Sequence, residues 1–450
     1  PDATRRGMLV TADGGPGYAG TDDLFPWASM DRRFADEFDT VYFDLRGVKT
    51  SGHLACDDAA AAFYLGGLRV ADAADEATLT AKSKQFAHDC VAEMGIPVDE
   101  APFYSTAQAV EDLEAFRRTM GVDELTLYGL SYGTQFMQVY AARHPDRVRA
   151  LLLDGTVDTT LGHVAYMSDL DGTIEGLLDR TLDDCAARPA CASAFDAAPG
   201  ATAKARAHAG YDAIAAALET APVTLDFPLA GGGTSKRIYS RADLDTTTFD
   251  ALYDPVDRGR LEAALGAAYS KGDFMPLLRL SYSSAGIDGQ TAGPVGTAAA
   301  DPGMSDAIYY TFTCNDYGAD APTAAARQHR YLAGGRALWS DPRVLSPYYG
   351  DDPCAYWPVT AKADPPPPAA LAGVPTMVVG ANADGAVPFD QGVAVASRLD
   401  DGSLVEVDGG HHVMVGTGLS CVDAPATAFL LDLARPPQRT THCQGTFVVP

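Results

Sequence analysis

The sequence predicts an α/β fold: a mostly parallel sheet with helices on both faces, carrying a large and mainly helical insertion. Three observations lead there. In the first third of the chain, short continuous apolar runs alternate with amphipathic stretches, as expected for strands buried on both faces and joined by helices. One run, Leu125-Thr-Leu-Tyr-Gly-Leu130, passes through Gly129-Leu-Ser131-Tyr-Gly133 directly into a helical stretch that stops at Arg143-His144-Pro145. The alternation ends near Asp158, gives way to helix and loop, and resumes after Pro365-Pro-Pro-Pro368.

Taken in order, Gly7-Met-Leu-Val-Thr-Ala12 is a strand running into the glycine-rich loop Asp13-Gly-Gly-Pro-Gly-Tyr-Ala-Gly20. That loop has neither spacing of a phosphate cradle, but it can present backbone N–H groups. Asp39 to Asp44 is a second strand. Ser105 or Thr106 caps a helix whose apolar positions are Val110, Leu113, Phe116 and Met120, at helical spacing. Val148 to Leu153 is the strand after the serine turn. Helices are expected at 172–187, 201–219, 258–270 and 322–338, separated by turns such as Ala285 to Gly303. Val374 to Gly380 is again a buried strand, with Asp384 in the loop behind it and a helix to about Arg398. Ser403 to Val407 reads as the last strand, followed by Asp408-Gly-Gly-His411-His412 and a final helix over 423–434. The expected division is a core in two parts, 1–158 and 369–450, with a helical cap at 159–368.

Composition limits the partners. At 450 residues and 47% hydrophobic content the chain can bury a sizeable core. Its net charge of −27 and pI near 4.5 argue against nucleic acid and anionic membrane surfaces. No apolar run reaches the roughly 20 residues of a membrane helix. The eight cysteines form no C-x-x-C and no cluster with zinc spacing, so no metal or cofactor is expected. An even count points to disulfides in an oxidising compartment. Neighbour pairing gives Cys56 with Cys90, Cys185 with Cys191, Cys314 with Cys354 and Cys421 with Cys443.

The chemistry centres on Ser131. G-x-S-x-G between a strand and a helix is a nucleophile elbow, whose strained tip requires glycines on either side. The hydroxyl needs a general base, and the base needs an orienting carboxylate. Asp384 and then the pair His411-His412 follow, each at the carboxyl end of a predicted strand, where ligands bind in open α/β sheets. Asp390, inside a helix, and Asp408, on the histidine turn, lack that placement.

Gly14-Gly-Pro-Gly17, Phe43-Asp-Leu-Arg-Gly-Val48, Gly129-Leu-Ser-Tyr-Gly-Thr134, Thr313-Cys-Asn-Asp316, the Asp384 loop and His412 with Cys421 close behind together resemble one family. It is the secreted tripeptidyl and prolyl aminopeptidases of actinobacteria, a branch of the proline-iminopeptidase-like α/β-hydrolases. The resemblance implies an α/β-hydrolase fold and a serine exopeptidase that releases tri- or tetrapeptides, including proline-ending ones, from free N-termini. It makes Ser131 the nucleophile, Asp384 the orienting acid and His412 the base. The backbone N–H groups of Gly15 and Tyr132 would form the oxyanion hole, and the cap would limit substrate length. His412 is preferred over His411 by counting along the family's loop from Asp408, although His411 stands where that loop usually has glycine. The family also carries strands ahead of the glycine loop, so a cleaved N-terminal segment of a precursor is a further expected partner. Glu175, Asp254 and Asp316 are the acids considered for the substrate's ammonium, and each also fits an ordinary solvated charge. Tyr309, Tyr310, Phe312 and Trp357 suit either a prolyl pocket or the cap core. A carboxylesterase or lactonase on the same scaffold, and a non-catalytic binding protein, are the alternative readings.

Overall fold

A computed structural model describes residues 5–22, 25, 27–64, 68–70, 72–229, 231–284, 304–318, 321–338, 343–344, 347–358, 371, 373–400 and 402–450. The turn-rich stretch Ala285 to Gly303 and the tetraproline Pro365 to Pro368 lie outside them.

The described strands are β1 (Gly7–Ala12), β2 (Phe38–Tyr42), β3 (Leu125–Leu130), β4 (Val148–Asp154), β5 (Val223–Pro228), β6 (Thr234–Tyr239), β7 (Thr376–Ala381), β8 (Ser403–Asp408) and β9 (Thr440–Gln444). Seven form one sheet in the order β2-β1-β3-β4-β7-β8-β9, and every pairing in it is parallel. Its central strands are apolar on both faces because both are covered. Leu9, Leu152, Met377 and Val379 face one core with Trp27, Phe34 and Phe429. Val10, Leu151, Leu153 and Val378 face the other, with Val110, Leu113 and Phe136.

The order places the site. From β1 the chain steps to β2 on one side and returns to β3 on the other, so the loops after β1 and β3 diverge across a switch point, where such sheets open a crevice. Register then lines up the strand ends. Ala12 pairs with Gly129, Leu130 with Asp154, Asp154 with Val379, and Ala381 with Val407. The loops carrying Gly14, Ser131, Gly155, Asp384 and His412 therefore emerge side by side along one edge.

Between β4 and β7 the chain leaves the sheet. There it forms helices His163–Ala187, Ala203–Thr220, Arg241–Ala251, Pro255–Lys271, Met275–Ser284, Asp306–Tyr317 and Ala324–Leu338, together with the antiparallel hairpin β5–β6.

Three expectations need correction. The first of these helices begins at His163 rather than 172. The helix Thr106–Met120 uses Ser105 as N-cap without a side-chain bond, and Met120 is 52% exposed. The strand ending near Val407 is not the last, because β9 adds on beyond it. Thr440-Thr-His-Cys-Gln444 has no apolar run to announce it. It is held by its pairing with β8 and by the Cys421–Cys443 disulfide.

All four neighbour pairs of cysteines are disulfides. The Cys421–Cys443 bridge closes a 22-residue separation between the last helix and the edge strand. Replacing both cysteines by serine should lower the unfolding free energy by about 3 kcal/mol on the chain-entropy scale. Guanidinium denaturation would read this as a lower midpoint, and an unchanged midpoint would show that the bridge adds nothing to β9.

Candidate active site

The elbow follows from close contacts. Ser131 sits at φ 57° and ψ −129°, a strained setting for a residue with a side chain. A Cβ on Gly129 would lie 2.4 Å from the Gly133 carbonyl oxygen, and one on Gly133 would lie 2.1 Å from that of Ala12. Only glycine fits either place. The Ser131 N–H donates to the Asp154 carbonyl at 2.9 Å, tying the tip to β4. Helix Tyr132–Arg143 begins at once, and its free N–H groups and positive dipole end face the same side. Gly14 presses against the serine from the β1 loop, where an added Cβ would be 2.9 Å from Ser131 Oγ. Asp13 steadies that loop by accepting from the Gly14 N–H at 3.0 Å.

Asp384 and His412 meet from the next two loops. His412 Nδ1 lies 2.9 Å from each carboxylate oxygen of Asp384. Asp384 Oδ1 also accepts from the N–H groups of Ala386 (2.8 Å) and Val387 (2.9 Å), which fixes the carboxylate. The Asp384 side chain is 2% exposed and that of His412 19%. The ring packs edge-on to Tyr253 at 6.1 Å, and its backbone N–H donates to the Tyr253 carbonyl at 3.4 Å. Gly155, one residue beyond the carbonyl that holds Ser131, touches the imidazole: a Cβ there would be 3.0 Å from Cε1. Burial lowers the imidazole's pKa, but the charge and hydrogen bond of Asp384, with the charges of Asp154 and Asp13, outweigh it and leave the ring above 6.5.

His411 turns elsewhere, its Nδ1 lying 2.8 Å from the His412 carbonyl oxygen. Asp408 accepts from Asn382 Nδ2 at 3.0 Å, and Asp390 lies in the first turn of helix Phe389–Arg398. Glu175 accepts from the Val344 N–H at 3.0 Å, and Asp254 caps helix Pro255–Lys271 through the Val256 N–H at 2.7 Å. Asp316 is not a solvated charge: it is 1% exposed and bonds to Thr106 Oγ1 at 2.5 Å, which in turn meets the Tyr132 hydroxyl at 2.5 Å. Tyr310, Phe312 and Trp357 are buried; Tyr310 stacks on Trp357 at 5.7 Å, and Phe312 packs edge-on to Tyr132 of the elbow helix at 6.2 Å, so these three are packed core side chains. Tyr309 donates to Asp351 at 3.0 Å.

Asp154 was missed. It is fully buried and accepts from the N–H groups of Met414 (2.9 Å) and Val415 (2.7 Å) and from the Tyr128 hydroxyl (3.2 Å). Burial pushes its pKa up to about 6 against the pull of those bonds. The carboxylate thus anchors the far side of the His412 loop. Its position, an acid at the carboxyl end of a central strand, is the same signal that singled out Asp384.

A parallel sheet with a serine elbow at its switch point, and an Asp–His pair on the next strand ends, has the architecture of the α/β hydrolases. The model described as "alpha/beta hydrolase fold" matches residues 9–416. The chain belongs to that family and is a serine hydrolase. Its relatives include Serine protease Hip1 of Mycobacterium tuberculosis, 30% identical over 96% of this chain and 80% of that protein. Carboxylesterase B of the same organism is 29% identical over 96% of this chain and 79% of its own. Tripeptidyl aminopeptidase of Streptomyces lividans is 25% identical over 95% and 75%.

The His412 environment makes a direct prediction. By NMR of selectively labelled histidine, the His412 ring should titrate above 6.5, and Asp384→Asn should move it downward. A ring that titrates alike in both proteins would break the coupling.

Proposed function

We propose that the chain is a serine exopeptidase that releases short peptides, tri- or tetrapeptides among them, from free N-termini through an acyl-enzyme. The observation that supports the acyl-enzyme chemistry is the Nδ1 of His412 held 2.9 Å from both oxygens of Asp384, on loops along the same sheet edge as the elbow of Ser131. In this reading Ser131 Oγ attacks the scissile carbonyl as His412 Nε2 takes its proton. His412 then gives that proton to the leaving amine, and Asp384 holds the Nδ1–H and stabilises the imidazolium. The N–H groups of Tyr132, at the helix start, and of Gly15, the residue after the Gly14 that touches the serine, receive the oxyanion in this reading, an arrangement worth about 3 kcal/mol per donor. Water then repeats the sequence on the acyl-enzyme and frees Ser131.

Residues 159–368 act as the cap over this edge, restricting which peptides enter. Four disulfides favour an extracellular setting, and among the described residues no helix is long and apolar enough to cross a membrane. The peptidase assignment draws on the relatives named serine protease and tripeptidyl aminopeptidase. The relative named carboxylesterase supports a second reading, since the same triad hydrolyses esters.

Chromogenic tripeptide anilides with free and acetylated N-termini, run beside a simple ester, separate the two. Preference for the free amine is expected; indifference to acetylation with fast ester cleavage would favour the esterase. Ser131→Ala and His412→Ala should abolish turnover while His411→Ala keeps most of it. Asp384→Asn should lower kcat by about 10⁴-fold in a folded protein. Retention of activity by His412→Ala together with its loss in His411→Ala would reverse the choice of base.

A further inference from the structure

Arg258 lies on the insertion helix Pro255–Lys271 and is fully buried. Among the described residues, its guanidinium donates to four main-chain carbonyls. Nε donates to Leu252 at 3.0 Å, and Nη1 to Gly410 at 2.9 Å and Phe447 at 2.7 Å; Nη2 donates to Ala383. Ala383 immediately precedes Asp384. Gly410 stands two residues before His412. Leu252 precedes Tyr253, whose ring and carbonyl both meet His412. Phe447 lays its ring against the guanidinium, 4.9 Å away. Burial brings the pKa of Arg258 down to about 10, so the group stays charged at neutral pH.

We propose that Arg258 is a positioning residue that sets Asp384 and His412 relative to one another by bridging the carbonyls of Ala383 and Gly410. Guanidinium suits the place because its planar fork donates in several fixed directions at once. Lysine's point charge cannot span four carbonyls with the same geometry. The insertion then does more than cover the site, because one of its side chains braces the two loops that carry the acid and the base. This inference rests on the triad assignment above.

The test compares the full-length protein with Arg258→Lys and Arg258→Met. Folding is checked by near-ultraviolet circular dichroism, and the readouts are fluorophosphonate labelling and the pH profile of p-nitrophenyl acetate hydrolysis. These probes need only nucleophile and base, so they do not depend on peptide specificity. In folded variants labelling and kcat should fall roughly 10- to 100-fold, the effect of a small misplacement of reacting groups, with KM within about twofold. The acid limb should also move to lower pH as His412 loosens from Asp384, and Arg258→Lys should be the milder of the two. Arg258→Lys keeps the charge, and a folded Lys variant with wild-type labelling and an unmoved acid limb would overturn the proposal even if Arg258→Met does not fold. A wild-type protein that the probe does not label would overturn the triad, and this inference with it.

Discussion

The contact between Gly133 and the Ala12 carbonyl is the constraint on which the site is built. With 2.1 Å between a would-be Cβ and that oxygen, the elbow helix can start only against the end of β1. Three things follow from this one approach. The serine is lifted into a positive-φ tip, the helix N-terminus comes beneath it, and the β1 glycine loop is brought beside its hydroxyl. Parallel register then delivers the remaining loops to the same edge.

Two buried ions complete the arrangement, and they do so in opposite senses. The Asp154 carboxylate collects backbone N–H groups from Met414 and Val415, and the Arg258 guanidinium collects backbone carbonyls from Ala383 and Gly410. The His412 loop lies between them, gripped through its donors on one side and its acceptors on the other. A charge removed from water is expensive unless it is well hydrogen-bonded. Losing one partner here would leave orphaned backbone groups as well as an uncompensated ion, so neither group is easily replaced.

Local chemistry was legible in the sequence. The glycines around Ser131, the continuous apolar strands and the post-strand positions of Asp384 and His412 each depend on a few neighbouring residues. What escaped depends on distant ones. β9 is polar and exists through its partner strand and a disulfide. In the hairpin β5–β6 the second strand breaks the apolar alternation, with Arg237 buried and Ile238 64% exposed. Arg258 looks like any surface arginine on an amphipathic helix until the loops it binds are folded around it. Asp154 stands between these cases: its place at a strand end was visible, but its bonds to a loop 260 residues on were not.

Those long separations bear on how the molecule comes into being. Arg258 reaches 125 residues ahead to Ala383, 152 to Gly410 and 189 to Phe447. None of these bonds can form until the final part of the chain has joined the sheet, and closing such loops is slow because the entropy is lost before the contacts form. The braces on the Asp384 and His412 loops therefore wait for that late part of the chain. A chain still emerging or only partly folded has its serine turn but not the proposed partners beside it, which under the proposed function makes hydrolytic competence a report on the completed fold.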